Sequence, residues 1–433
     1  MDLTTLGIVV FFGLLFLLVI GVPIGFAAFI AAGIGIFIIA GLPGVSLILG
    51  TLPHAMGTNY AFIVMPLFML MGDLGYHAGL TGQAFLVAER WLGRLPGGMY
   101  MAVVWASAAF AACSGSSTAT AAVMTKVAYP ELEKRGGAPW LASGCIAAAG
   151  TFAIMIPPSG MMVIYGIITE QSIGRLLIAG IIPGSMTAIA YMIECYAVAR
   201  LNPRMDAHAK PTTWKARISV LPSVLPLGIV AGIVLGGIYL GWFTATEAGA
   251  VGVAVTLLLS LARRGLTWES FKESLKGSAQ TTSMIFVIIV GILTFTSFLS
   301  LTRLPYIIST FVVELPLSPT VILLVIGVLY IILGMFLDGI SILLLTAPIL
   351  FPAIIQLGFD PIWLGVFFIK VIEIGCATPP IGLNCYVVHA VIPHVPLSDI
   401  FKGASLFLVA DLGILTLLVF YPEIALFLPG KMT

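Results

Sequence analysis

Four short segments of this chain carry residues that could bind ions or anions in otherwise apolar surroundings. The first, Ser114-Gly115-Ser116-Ser117-Thr118-Ala119-Thr120, sets five hydroxyls around one glycine. That run suits a tight turn whose carbonyl and hydroxyl oxygens face a cation, although small residues also serve close helix packing. The second, Phe336-Leu337-Asp338-Gly339-Ile340-Ser341, places a carboxylate inside an apolar stretch. Such a charge is costly within a membrane and marks a functional site; its plainer role is to accept hydrogen bonds at a helix terminus. The third and fourth, Gly150–Gly160 and Gly375–Asn384, contain the pairs Pro157-Pro158 and Pro379-Pro380. Paired prolines remove two amide donors and disfavour helix just before them, so carbonyls one turn earlier lose their partners. Freed carbonyls of this kind coordinate sodium in broken transmembrane helices. Beyond each pair a new helix begins with unpaired amides and a positive dipole end, which suits a carboxylate.

These segments define expected sites. Ser114, Ser116 and Ser117, with the carbonyls of Ala153 and Ile156, form one sodium site. Asp338 and Gly339, with Gly375, Thr378 and Ile381, form the other. The substrate lies between the two breaks, touching Ser159 and Asn384 beside Gly160 and Gly382. No arginine falls at the midplane, so an anion must be met by amides, hydroxyls or Lys370. Lys370 and Glu373 stand three apart on one helical face and can pair or contact substrate. Glu247 caps a span start, and Asp73, Glu194 and Asp411 are helix caps or contacts to another subunit.

The elements holding these residues must be membrane helices. Of 433 residues, 60% are hydrophobic and only 9% charged, against about 25% charged in a soluble domain. Net charge is +1, so nothing attracts nucleic acid. The five cysteines lie apart in apolar segments, with neither metal-ligand spacing nor a disulfide framework. No HExxH, Walker or GxSxG pattern occurs, so neither a pump nor an enzyme is expected, and no metal beyond alkali ions. The N-terminus lacks the basic start of a removable signal.

A shift of 222 positions aligns the helix breakers of the two halves: Pro130 falls on Pro352, Gly136 on Gly358, Pro139 on Pro361, and Pro157-Pro158 on Pro379-Pro380. Matched breaks imply matched helix interruptions. The expected fold is an all-α polytopic membrane protein built as an inverted repeat, with two re-entrant hairpins and two broken helices. Residues 1–199 form the first repeat, with hairpin 98–128 and broken helix 141–166. Residues 200–217 form a cytoplasmic linker. Residues 218–433 form the second repeat, with hairpin 319–350, broken helix 362–390 and a last span at 403–427. Amphipathic pieces at 45–57 and 266–277 should lie along the interface. Five crossings per half invert the second copy. With the N-terminus outside, the 19 Lys and Arg divide into 15 inside, Lys210 of the linker among them, three outside (Arg175, Arg303, Lys431) and Lys370 within the membrane. Cytoplasmic loops are rich in Lys and Arg, so both termini face outward.

The sequence is also similar to a known family. Pro66-Leu67-Phe68 through Gly72, Ser114 through Ala122, Ile156-Pro157-Pro158-Ser159, Ser172-Ile173-Gly174 and Ala179 through Gly184 resemble the large membrane subunit of tripartite ATP-independent periplasmic (TRAP) transporters. Gly375, Thr378-Pro379-Pro380, Gly382 and Asn384 agree in the second half, and Ala153 departs where glycine is expected. The resemblance implies a sodium-coupled importer of organic acids in the bacterial inner membrane, such as C4-dicarboxylates or sialic acid. It also implies a small four-helix membrane subunit, a periplasmic substrate-binding protein and a fold like elevator-type ion transporters. The competing readings are a stand-alone di- or tricarboxylate symporter and, from another class, a channel or structural membrane subunit.

Overall fold

The computed structural model describes residues 2–207 and 212–432, so Lys210 and Pro211 of the linker lie outside the described residues. Every regular element among those described is helical. The chain opens with α1 (Leu3–Val19) and α2 (Ile24–Thr58), followed by α3 (Val64–His77) and α4 (Leu80–Leu92). Helices α5 (Gly98–Ser114) and α6 (Ser117–Lys134) form a hairpin that turns at Gly115-Ser116. A broken helix follows as α7 (Pro139–Gly150), α8 (Phe152–Met155) and α9 (Gly160–Ile168), then α10 (Ile173–Ala179) and α11 (Ile181–Leu201). The second half runs through α12 (Trp214–Ile218), α13 (Leu221–Tyr239), α14 (Ala245–Ala262), α15 (Trp268–Leu301) and α16 (Leu304–Glu314). Its hairpin is α17 (Pro319–Gly334) and α18 (Gly339–Gln356), and its broken helix is α19 (Pro361–Ala377) and α20 (Leu383–Val391). Helices α21 (Leu397–Phe420) and α22 (Glu423–Leu426) close the chain. Among the described residues eight helices are long and apolar enough to cross a membrane, nine if the bent pair around α3 and α4 counts as one.

The 222-residue offset recurs in the helix boundaries. Helices α6 and α18 begin and end at offset positions, and α7 and α19 begin at Pro139 and Pro361. Gly136 and Gly358 both take the left-handed conformation, φ 75° and 92°, which ends α6 and α18 without a Cβ penalty. The peptide bonds Pro157–Pro158 and Pro379–Pro380 are both cis.

Several boundaries differ from the sequence expectation. The hairpins run on to Lys134 and Gln356, because nothing stops the helix before those two glycines. The piece at 45–57 continues α2 beyond a break at Gly41 (φ 65°), and the piece at 266–277 is the start of α15, capped by Thr267. The last long helix spans 397–420, set by Pro396 before it and Pro422 after it. Helices α4, α10 and α16 were not anticipated. Helix α4 follows α3 after a 63° bend, with Gly79 at φ 75° in the corner.

Packing separates two layers. Helix α2 lies against α15 and α3 against α14, while Phe12, Phe16 and Phe37 of α1 and α2 stay exposed, as an apolar solvent allows. The hairpins and broken helices form the inner layer, in which α19 is buried from Ile362 to Ala377. Helix α6 packs on α20 and α18 on α9, so each hairpin's second arm meets the other half's broken helix.

Candidate functional site: a cavity ringed by helix N-termini

A cavity of about 920 Å³ opens between the two layers. The outer layer contributes Pro23 to Phe26 at the start of α2, and Thr281, Ser283 and Met284 of α15. The inner layer contributes residues from both hairpin tips and both breaks, often in pairs 222 apart: Ser116 with Asp338, Ser117 with Gly339, Thr118 with Ile340, Ile154 with Cys376, and Met161 with Leu383.

First-turn residues of α2, α6, α9, α18 and α20 all reach this cavity. Each helix start presents unpaired amides and a partial positive charge, worth about 0.3–1 kcal/mol to a nearby anion at exposed sites. Sequence reasoning assigned this role to the two starts after the proline pairs; the hairpin arms and α2 add three more. Asp338 is the one charged residue on the wall among the described residues.

The tips share one geometry. Ser116 caps α6, its Oγ accepting from the Ala119 amide at 3.4 Å, and Asp338 caps α18, its Oδ1 accepting from the Ser341 amide at 3.1 Å. The Ser341 hydroxyl donates to the other Asp338 oxygen. Gly115, at φ 61°, allows the first tip to lie on the break: a Cβ there would sit 2.9 Å from the Pro158 carbonyl oxygen. Ser114 is held behind the tip by Thr120, 2.7 Å between hydroxyl oxygens.

Of the expected site residues, Ser116, Ser117, Gly160, Asp338 and Gly339 line the cavity. Ala153 is buried behind the wall, and Ile156 is partly buried at the break. Gly375 packs backbone to backbone on Gly334 of α17, and the Thr378 hydroxyl donates to the Ile374 carbonyl at 2.6 Å. Ile381 is exposed away from the cavity, and Gly382 packs on Phe401. Ser159 and Asn384 are fully buried and off the wall. The Ser159 hydroxyl turns back to donate to the Ile154 carbonyl, which the proline break has freed, and accepts from the Met162 amide at 3.3 Å. Asn384 Nδ2 donates to the Ala147 carbonyl at 3.2 Å, and its buried Oδ1 has no protein partner. In this arrangement both side chains tether the breaks. Thr118 and Ile154 lie within the expected segments, whereas Met161, Thr281 and Ser283 lie outside them; the 222 offset pairs Ile154 with Cys376 and Met161 with Leu383.

Lys370 is not on the wall either. It is fully buried, donating to Thr187 Oγ1 (3.1 Å), Glu373 Oε2 (3.0 Å) and Asp411 Oδ1 (2.7 Å). Its three ammonium protons thus have protein acceptors. Glu194 accepts from the Ala410 amide, and Glu247 forms a capping box with Thr244. The five cysteines are free and buried, and no His, Cys, Asp and Glu cluster fit for a metal occurs among the described residues.

Comparison with known proteins agrees with this architecture. The family described as "Tripartite ATP-independent periplasmic transporter, DctM component" matches residues 11–424. The chain is 34% identical to the C4-dicarboxylate TRAP transporter large permease protein DctM of Pseudomonas aeruginosa, covering 86% of this chain and 87% of that one. It is 31% identical to the sialic acid TRAP transporter large permease protein SiaM of Vibrio cholerae, covering 96% and 97%. It is 32% identical to the ectoine TRAP transporter large permease protein TeaC of Halomonas elongata, covering 85% and 86%. The crystal structure of the YdaH transporter of Alcanivorax borkumensis shares the fold at TM-score 0.62 and 14% identity, covering 88% of this chain and 89% of that one. The chain therefore belongs to the DctM component family of tripartite ATP-independent periplasmic transporters, multi-pass inner-membrane transport proteins and not enzymes.

Proposed function

We propose that the protein imports a carboxylate-bearing organic acid across the bacterial inner membrane by coupling it to sodium entry. A periplasmic binding protein delivers the substrate, and a small four-helix membrane subunit completes the permease. The observation that carries this reading is the cavity ringed by five helix N-termini and two hairpin tips. A carboxylate needs donors, and with no Lys, Arg or His among its lining residues the donors are helix amides and hydroxyls, aided by bound sodium. Sodium in turn needs oxygens, which Ser116, Ser117 and Asp338 offer at the tips and the broken helices offer as carbonyls.

In this reading residues 1–199 and 218–433 are inverted copies and both termini are periplasmic, in keeping with the positive-inside distribution. The hairpins and broken helices move as one unit past a static unit containing α1, α2, α13 and α14, in an elevator-like cycle. Relatives named for C4-dicarboxylates, sialic acid and ectoine, which bear carboxylates, support that class; another is named for isethionate, whose anionic group is a sulfonate.

The test is uptake in proteoliposomes containing both membrane subunits, with the binding protein outside, using a panel of carboxylates under sodium or potassium gradients. Accumulation that requires sodium is expected. Uptake that runs equally in potassium, or a downhill leak without accumulation, would replace the symporter with a uniporter or channel. A crosslink between α2 and the first hairpin should stop transport; unimpaired transport would remove the moving unit.

A further inference from the structure

We infer that Lys370, Glu373 and Asp411, with Thr151, Thr187 and Tyr191, form a buried charge-paired rivet that fixes the two broken helices to each other and so positions the two tip sites as a pair. This rests on the sodium reading above. The Lys370 ammonium meets Thr187 on α11, Glu373 on its own α19, and Asp411 on α21. Glu373 Oε1 continues to Thr151 Oγ1 at 2.9 Å, at the junction of α7 and α8. The Tyr191 hydroxyl of α11 donates to Asp411 Oδ2 at 2.7 Å, and its ring lies between Phe152 and Phe407 at centroid distances of 5.1 and 4.8 Å. Every member is 0–1% exposed.

Two features point to positioning. Thr151 and Glu373 are themselves 222 residues apart, so equivalent points of the two broken helices touch each other. Each also stands two residues before an expected cation carbonyl, Ala153 in one half and Gly375 in the other. The Thr151–Glu373 contact therefore sets the spacing between the two sites. A fully buried ion pair is weak evidence for stability, since apolar replacements of like volume are often neutral. Its value here is geometric: three acceptors on three helices fix one ammonium, and a shift of about 1 Å at a reacting site can cost about 100-fold.

The experiment uses the full chain with its small subunit. The triple variant Lys370→Met/Glu373→Gln/Asp411→Asn removes all charge at similar volume, and Asp411→Asn alone, which keeps the Lys370–Glu373 pair, replaces it if the triple variant does not assemble. Spin labels at Ile168→Cys, ending α9, and Ala390→Cys, near the end of α20, report the spacing; the native cysteines are buried. The expected result is one narrow distance in the parent, a broadened distribution in the variant, and apparent sodium affinity for uptake about 10-fold weaker with lower cooperativity. An unchanged narrow distance with the parental sodium curve overturns the rivet. A raised substrate half-saturation alone, with distance and sodium curve unchanged, also overturns it and makes Lys370 a substrate ligand. If parental uptake ignores sodium, the coupling proposal fails, and the distance measurement alone decides the rivet.

Discussion

At the first hairpin tip, Ser116 caps α6 with a neutral hydroxyl after Gly115; at the second, Asp338 caps α18 with a carboxylate after Leu337. Helix boundaries, caps and cavity position match, and the chemistry does not. A cation at the first tip would meet dipoles only, whereas at the second it would meet the formal charge of a half-buried carboxylate. The two proposed sodium sites should therefore differ in affinity, with the second filling first.

Breaking this asymmetry at its charged end should have the largest effect. Asp338→Asn preserves an oxygen able to cap α18 but removes the charge, and the loss of one charged contact, about 1.5–3 kcal/mol, predicts about 10- to 150-fold weaker apparent sodium affinity. Sodium titration of uptake measures it; a shift below about 3-fold would refute the second site. Next comes Gly115→Ala, because a Cβ at φ 61° is strained and meets the Pro158 carbonyl oxygen at 2.9 Å. A fall of about 10-fold in uptake is expected, whereas Leu337→Ala, at the matching position of the other tip, should retain most activity.

The backbones behind the tips sharpen the same contrast. Gly375 touches Gly334 so closely that a Cβ would lie 2.7 Å from the Gly334 Cα, while the first half carries Ala153 and Ala112 at the equivalent positions. Gly375→Ala should push α17 off α19 at a cost of about 1–3 kcal/mol, read as a lower melting temperature. Ala153→Gly, the residue expected of the family, should cost under about 1 kcal/mol. Among the substitutions at the tips, the smallest effect is expected from Ser116→Ala, which loses one cap worth about 1 kcal/mol and should weaken sodium activation about 5-fold.

Much of this was legible because prolines and glycines act locally. Their 222-residue spacing, visible in the sequence, recurs in the starts of α6 and α18, the starts of α7 and α19, and the left-handed Gly136 and Gly358. What could not be read depended on where side chains turn. Ser159 and Asn384 stand out as polar residues at the breaks, but the sequence does not show that the Ser159 hydroxyl turns back to the freed Ile154 carbonyl or that Asn384 reaches Ala147. The spacing of Lys370 and Glu373 showed that they could pair, but not the third member, because Asp411, the nearest partner of Lys370 at 2.7 Å, lies 41 residues away on α21. The convergence of five helix starts on one cavity is likewise a tertiary fact. So is the short α16, with Pro305 in its first turn, which no span-length hydropathy signal marks.

The most direct test of the account is the sodium activation curve of carboxylate uptake in proteoliposomes, measured for the parent, Ser116→Ala and Asp338→Asn. Uptake that requires sodium, with the Asp338→Asn curve displaced roughly tenfold further than the Ser116→Ala curve, is the predicted result. Sodium-independent uptake in the parent, or equal displacement of the two variants, would contradict it.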